Sequence, residues 1–175
     1  MASQYGVNTV TSVSAARPIR INSSTPIGLV GTVLLPANTV GMSEEHIVIY
    51  EKIKAGIPLF FGSADKANEF FGELEGTLRE SLDGVADQNV TGPLIVIAVE
   101  LETTHSGKVP ENFYDDLTLK SKIIKAISRL KGVAGSVGYK PNLIVALRFS
   151  HDVDIATEMT SVAQKLLAMA LVDLN

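Results

Sequence analysis

Cysteine is absent from all 175 residues. That removes disulfides, thiolate metal sites, iron–sulfur ligation and thiol nucleophiles at once, and it is compatible with a reducing compartment. Tryptophan is absent too, and aromatic residues make up only 6%, which argues against base-stacking platforms for single strands. Positive charge is in deficit: 15 Lys and Arg face 19 Asp and Glu, a net charge of −4. A broad phosphate-binding surface needs clustered cations, so nucleic acid is not an expected partner. Long apolar runs are missing as well. Ile27–Leu35 and Pro93–Val99 are about half the ~20 residues of a membrane-spanning helix, so no membrane insertion is expected. The opening Met-Ala-Ser-Gln-Tyr-Gly has no basic region leading into an apolar core, so no secretory signal is read there and a soluble protein is expected.

What is present is a core. Apolar types reach 46% and charged types 19%, the balance of a folded chain rather than a disordered one. A chain of this length can bury roughly 70% of its unfolded surface around one core without a covalent staple.

The first stretch, Tyr5–Ile21, is unlike the rest. Val7, Thr9, Thr11 and Val13 place β-formers at alternate positions, with Val10 interrupting the polar alternation between them. Arg17 precedes Pro18, which favours extended backbone. Residues 1–22 are therefore read as an extended arm carrying a strand, and residues 23–175 as an α/β domain. A long terminal strand calls for a pairing partner, because bare edges are sticky.

Within the domain, Pro26–Leu35 reads as a buried strand, with Gly28 and Gly31 marking close approach or a bend. Pro36–Ser43 reads as a loop, and Ile47–Ile53 and Pro58–Phe61 as short strands turning at Gly56. Ser63-Ala64-Asp65 opens a helix through Phe71, and a second follows Gly72 with Leu74, Leu78, Leu82 and Val85 on one face. Leu94–Val99 is a β-branched run of the doubly covered type. Glu102–Asn112 is a polar loop. Leu119, Ile123, Ile127 and Leu130 define a third helical face, Gly132–Gly138 a flexible connector, and Leu143–Leu147 a strand. A helix over Asp152–Ala168 carries Ile155, Met159, Val162 and Leu166, and Ala170–Leu174 looks like a further strand beginning. Strands alternating with helices predict right-handed crossovers and a mainly parallel sheet flanked by helices at Leu74, Leu119 and Ile155. Because the chain stops in a strand, the domain is expected to be truncated at its C-terminal end.

Catalytic signals are thin. The bases are His46, His105 and His151. Ser150-His151-Asp152 are neighbours pointing different ways, and Ser150 or Asp152 fits a helix cap better than a triad. His105 falls in the polar loop, and His46 in a charged loop expected to precede a strand. Gly132-Val-Ala-Gly135-Ser-Val-Gly138 follows a helix and precedes a strand, the reverse of a dinucleotide fingerprint. Gly28-Leu-Val-Gly31-Thr32 lacks the lysine of a phosphate loop. Phe60-Phe61 and Phe70-Phe71 read as core contacts, and no carboxylate pair stands out. The chain is read as no enzyme, with no cofactor and no metal.

Several blocks, in order, resemble contractile phage tail sheath proteins. Tyr5-Gly-Val-Asn8, Ala16-Arg17-Pro18-Ile19 and Thr25-Pro-Ile-Gly-Leu-Val-Gly-Thr32 are similar to the opening of that family, a Tyr/His-Gly-Val arm running into a strand with a Val-Gly motif. Ile57–Gly62 with Gly76-Thr77-Leu78 and Ser81-Leu82, then Val90–Val99, then Gly138-Tyr-Lys-Pro141-Asn-Leu-Ile144 and Val162-Ala-Gln-Lys-Leu166, look like its successive blocks. Sheath proteins are usually about twice as long, so the match is to their N-terminal portion and the fold is expected to be an incomplete sheath fold.

The resemblance implies a structural subunit that forms hexameric rings and a helical sheath around an inner tail tube protein. It implies contacts with baseplate and tail terminator proteins, assembly in a bacterial host cytoplasm and residence in the virion tail. It further implies that Tyr5, Gly6, Val7, Thr9, Val10, Thr11, Val13 and Arg17 form an arm that pairs with neighbouring subunits, a β-augmentation. Two other readings stay open. One is a ligand-binding or enzymatic doubly wound domain with its site near Glu100–Thr104 and Phe149–Asp152, at the carboxyl ends of strands. The other is a soluble adaptor that exchanges its arm with a partner.

Overall fold

The computed structural model describes residues 25–39, 41–88, 92–102 and 116–173. The arm residues Tyr5, Gly6, Val7, Thr9, Val10, Thr11, Val13 and Arg17 lie outside these, as does His105. Among the described residues a five-stranded mixed sheet carries helices on both faces.

The centre is β1 (Ile27–Val33) beside β3 (Leu94–Glu100), parallel and in register over seven residues from Ile27↔Leu94 to Val33↔Glu100. Both are continuous apolar runs because both faces are covered. On the far side of β3 lies β2 (Leu59–Phe61), antiparallel, and on the far side of β1 lie β4 (Leu143–Val145) and β5 (Met169–Leu171), both parallel. The order β2-β3-β1-β4-β5 bears out a mainly parallel sheet, with one antiparallel edge strand.

One face is packed by α1 (Glu44–Lys54), α2 (Ala64–Phe71) and α3 (Thr77–Asp87) around Leu29, Val33, Leu94 and Val96. The other is packed by α4 (Leu117–Arg129), α5 (Val133–Val137) and α6 (Val153–Leu166) around Val30, Ile95 and Ile97. Leu78, Leu82, Ile123, Ile127, Met159 and Leu166 are all buried, as their spacing requires. The glycines of β1 permit close packing. A Cβ on Gly31 would stand 3.1 Å from the backbone N and Cα of Leu78, which seats α3 directly on the strand.

Several boundaries differ from expectation. Ile47–Ile53 is not a strand but the body of α1. The β-branched run suggests a strand, but Ser43 caps a helix by accepting from the His46 N–H, with Glu44 and Glu45 in the first turn and Lys52 and Lys54 in the last. Only Tyr50 and Ile53 are buried there, at helical spacing. His46 therefore lies in a helix turn rather than in a loop. The expected helix after Gly72 begins at Thr77, leaving Leu74 in the preceding turn, because Gly76 at φ 137° breaks the helix start. The segment Gly132–Gly138 is no flexible connector: a 3₁₀ turn over Leu130–Gly132 leads into α5, which buries Val133 and stops at left-handed Gly138. The strand expected over Leu143–Leu147 ends at Val145, and the last helix closes at Leu166, two residues short of Ala168. The terminal strand begins at Met169 and ends at Leu171. Of the four phenylalanines assigned to the core, Phe61 and Phe71 are buried, while Phe60 is exposed and stacks on Tyr139.

Candidate functional site

The connection from β1 to β3 runs over one face, and those from β3 to β4 and from β4 to β5 over the other. Adjacent strands whose crossovers leave in opposite directions open a crevice at their carboxyl ends, the position where α/β sheets take ligands. In this strand order that point falls between β1 and β4, whose crossovers leave toward β3 and β5 respectively; beside it, over the carboxyl ends of β1 and β3, lies a cleft of about 790 Å³. Its walls are Leu34–Ala37 after β1, Glu100–Glu102 ending β3, Glu73–Glu75 before α3, Lys54 of α1 and Lys122 of α4.

One wall exists because β4 is short. It pairs with β1 only as far as Leu29, so the upper edge of β1 needs another cover. The segment before α3 supplies it. Leu34 N–H donates to Glu75 O at 2.7 Å, and Thr32 N–H donates to Thr77 Oγ1 at 3.0 Å. Thr77 N–H donates in return to Thr32 Oγ1 at 3.2 Å. Both threonines are buried, and this reciprocal clamp satisfies the strand edge and the helix start together. It also sets Glu73 and Glu75 at the crevice.

The crevice is acidic. Glu73, Glu75, Glu100 and Glu102 face Lys54 and Lys122 across it, and Lys122 Nζ is 2.6 Å from Glu102 Oε1. Its polar side chains are carboxylates and ammonium groups, a field suited to a cationic group rather than a phosphate. The two halves of the ligand-site reading are not brought together. Of Glu100–Thr104, Glu100–Glu102 line the crevice and Thr103 and Thr104 lie outside the described residues, whereas none of Phe149–Asp152 lines it. Phe149 is core, Ser150 is buried and donates to Asp173 Oδ2 at 2.8 Å, and His151 is exposed.

Asp152 caps α6, accepting from the N–H groups of Asp154 and Ile155. It also holds Lys120 of α4 at 2.8 Å, and Asp154 holds the same ammonium at 2.6 Å. Burial raises the Asp152 carboxyl, but the Lys120 ammonium and the two backbone donors outweigh it, leaving it below the ordinary carboxylate range. Glu158 is likewise held low by hydrogen bonds from Lys131 and Ser128. These charges fasten α6 to α4. Elsewhere His46 Nδ1 lies 2.6 Å from Ser43 Oγ, and its ring packs on Phe70. No group of three or more metal-ligating side chains is present among the described residues, nor is a helix long and apolar enough to cross a membrane.

The acidic pairs are the feature that sequence reading overlooks. Glu73-Leu74-Glu75 and Glu100-Leu101-Glu102 repeat one tripeptide. At the end of β3 extended backbone turns Leu101 one way and the two carboxylates the other, while Glu73–Glu75 lies in the turn before α3. Leu101 is buried, Leu74 is partly so, and all four glutamates are exposed.

No family model and no curated protein matches this chain.

Proposed function

We propose that the protein is a structural subunit of a contractile phage tail sheath, or the N-terminal portion of one. In this reading it assembles as hexameric rings into a helical tube around an inner tail tube. Contraction of that tube drives the inner one through the host envelope, with baseplate and terminator proteins at its ends. What supports the reading is the order of the resembling blocks along one domain. The Thr25–Thr32 block coincides with β1, the Gly76–Leu82 block with the start of α3, the Val90–Val99 block with β3, and the last blocks with β4 and α6. In this reading the arm Tyr5–Ser14 is the main-chain link that lets globular parts rotate while subunits stay joined.

Electron microscopy of the purified chain, alone and with tail tubes, tests this. Rings or striated tubes are expected. Particles that stay monomeric with tail tubes present overturn it.

The acidic crevice favours a second reading, a binding module for a small cationic ligand at the carboxyl ends of β1 and β3. Calorimetric titration with polyamines separates the two. Saturable binding that Glu75→Gln and Glu102→Gln abolish supports the module, and no heat above dilution removes it.

A further inference from the structure

Among the described residues the outer edge of the sheet is open and apolar. β5 pairs with β4 on one side and with no described strand on the other. Met169 is 69% and Leu171 50% exposed, and α1–α3 do not extend over them. On the opposite face a groove of about 1030 Å³ runs between β5 and α6, lined by Thr157, Thr160, Ser161, Gln164, Ala170 and Val172 among others. One side of this edge is thus hydrocarbon, and the other is lined with hydroxyls and small side chains together with His151, Val153 and Asp173. None of Met169–Val172 is charged or a proline, so of the devices that keep an edge strand from pairing only its shortness operates here.

We infer that in the free subunit this edge is closed by the chain's own N-terminal strand, residues 5–14, running antiparallel to β5. Three observations carry this. The first is position. Asn142 N–H donates to Pro26 O and Met169 N–H to Asn142 O, each at 2.8 Å. The start of β1 and the start of β5 therefore lie in one hydrogen-bonded row at the same end of the sheet. The slot beyond β5 is three strand spacings from β1, about 14 Å.

The second is length. Residues 15–24 can span about 33 Å when extended, ample to cross beneath β4 and β5, so residues 14 back to 5 would then climb beside β5. The third is complementarity. The arm's alternation puts Tyr5, Val7, Thr9, Thr11 and Val13 on one side, matching Met169 and Leu171. It puts Asn8, Ser12 and Ser14, with Val10 among them, on the side of the hydroxyl-lined groove.

The pairing is short, because β5 is three residues long. A short ladder holds the arm weakly enough to be surrendered when a neighbour offers a better edge, so closure protects the free subunit without preventing assembly. This inference does not depend on the sheath reading.

Amide hydrogen exchange on the full chain tests it. Met169 N–H points to β4, so strand alternation turns the Ala170 and Val172 N–H groups to the open side. These two amides should be protected in dilute full-length protein, equally at every concentration. They should lose that protection in a chain lacking residues 1–16 and in Val10→Pro, while Val96 and Ile97 stay protected in all three. Equal exchange with and without the arm overturns the inference. Protection that grows with protein concentration also overturns it, because a second copy would then hold the edge.

Discussion

The central pair of strands and the outer pair are built differently. β1 and β3 share a seven-residue register, with Leu29, Val30, Ile95, Val96 and Ile97 all at 0–1% exposure. β4 and β5 share three residues, and Met169 and Leu171 stand in the open. Apolar burial holds the centre. The outer half depends more on α6, which is tied to α4 by the Lys120–Asp152–Asp154 contacts and to the 3₁₀ turn after α4 by Lys131–Glu158. Stability therefore lives in the middle of the sheet rather than at its outer edge.

The largest effect should separate the two directly. Ile97→Ala leaves a cavity in the centre and should cost about 2–5 kcal/mol. Leu171→Ala at the edge should change stability by no more than about 0.5 kcal/mol. Urea denaturation of both variants measures the difference, and similar losses would erase the distinction. Next comes the clamp beside the crevice. Thr77→Val leaves the buried Thr32 N–H without its acceptor and should cost about 1–3 kcal/mol. An unchanged urea midpoint would mean that α3 closes the β1 edge without it.

How much of this the sequence shows follows from the same contrast. Leu94–Val99 is legible because a strand covered on both faces reads as an unbroken apolar run. The helices at Leu78, Ile123 and Met159 are legible because each buries one stripe. Ile47–Ile53 misleads because a β-branched run carries no mark of its partners, and a single serine cap decides for helix. The extent of β4 depends on where Ala146 turns the chain, a tertiary matter that alternation does not record. The candidate crevice is legible in part: Glu100–Glu102 falls where strand-end reasoning puts it. Glu73–Glu75 joins it only because Thr32 and Thr77, 45 residues apart in the chain, meet.

A smaller, opposite effect sharpens the picture at the centre's cover. Gly84 lies exposed within α3, and a Cβ there would meet nothing within 4 Å. Gly84→Ala should stabilise the fold by about 0.5–1 kcal/mol by restricting the unfolded chain and favouring helix. A lowered melting temperature would show that α3 is strained at that point.

The smallest effect is set by pH and belongs to the outer half. Asp152 and Glu158 have folded pKa values below their ordinary ones. The unfolded chain therefore takes up protons first as pH falls. The stabilisation is full above the unfolded carboxylate range of about pH 4 and is lost on descending from there through the folded values. Amides of α6 and β5 should begin to exchange faster below about pH 4, before those of β3 do. Asp152→Asn and Glu158→Gln should flatten that onset, and simultaneous loss throughout the sheet would contradict it.

The central proposal is that this domain is an assembly unit joined through its arm. Electron microscopy of the full chain incubated with tail tubes, beside the same chain lacking residues 1–16, tests it most directly. The account predicts rings or striated tubes with the arm and only dispersed, folded domains without it. Tubes that form equally well from both chains, or from neither, would contradict it.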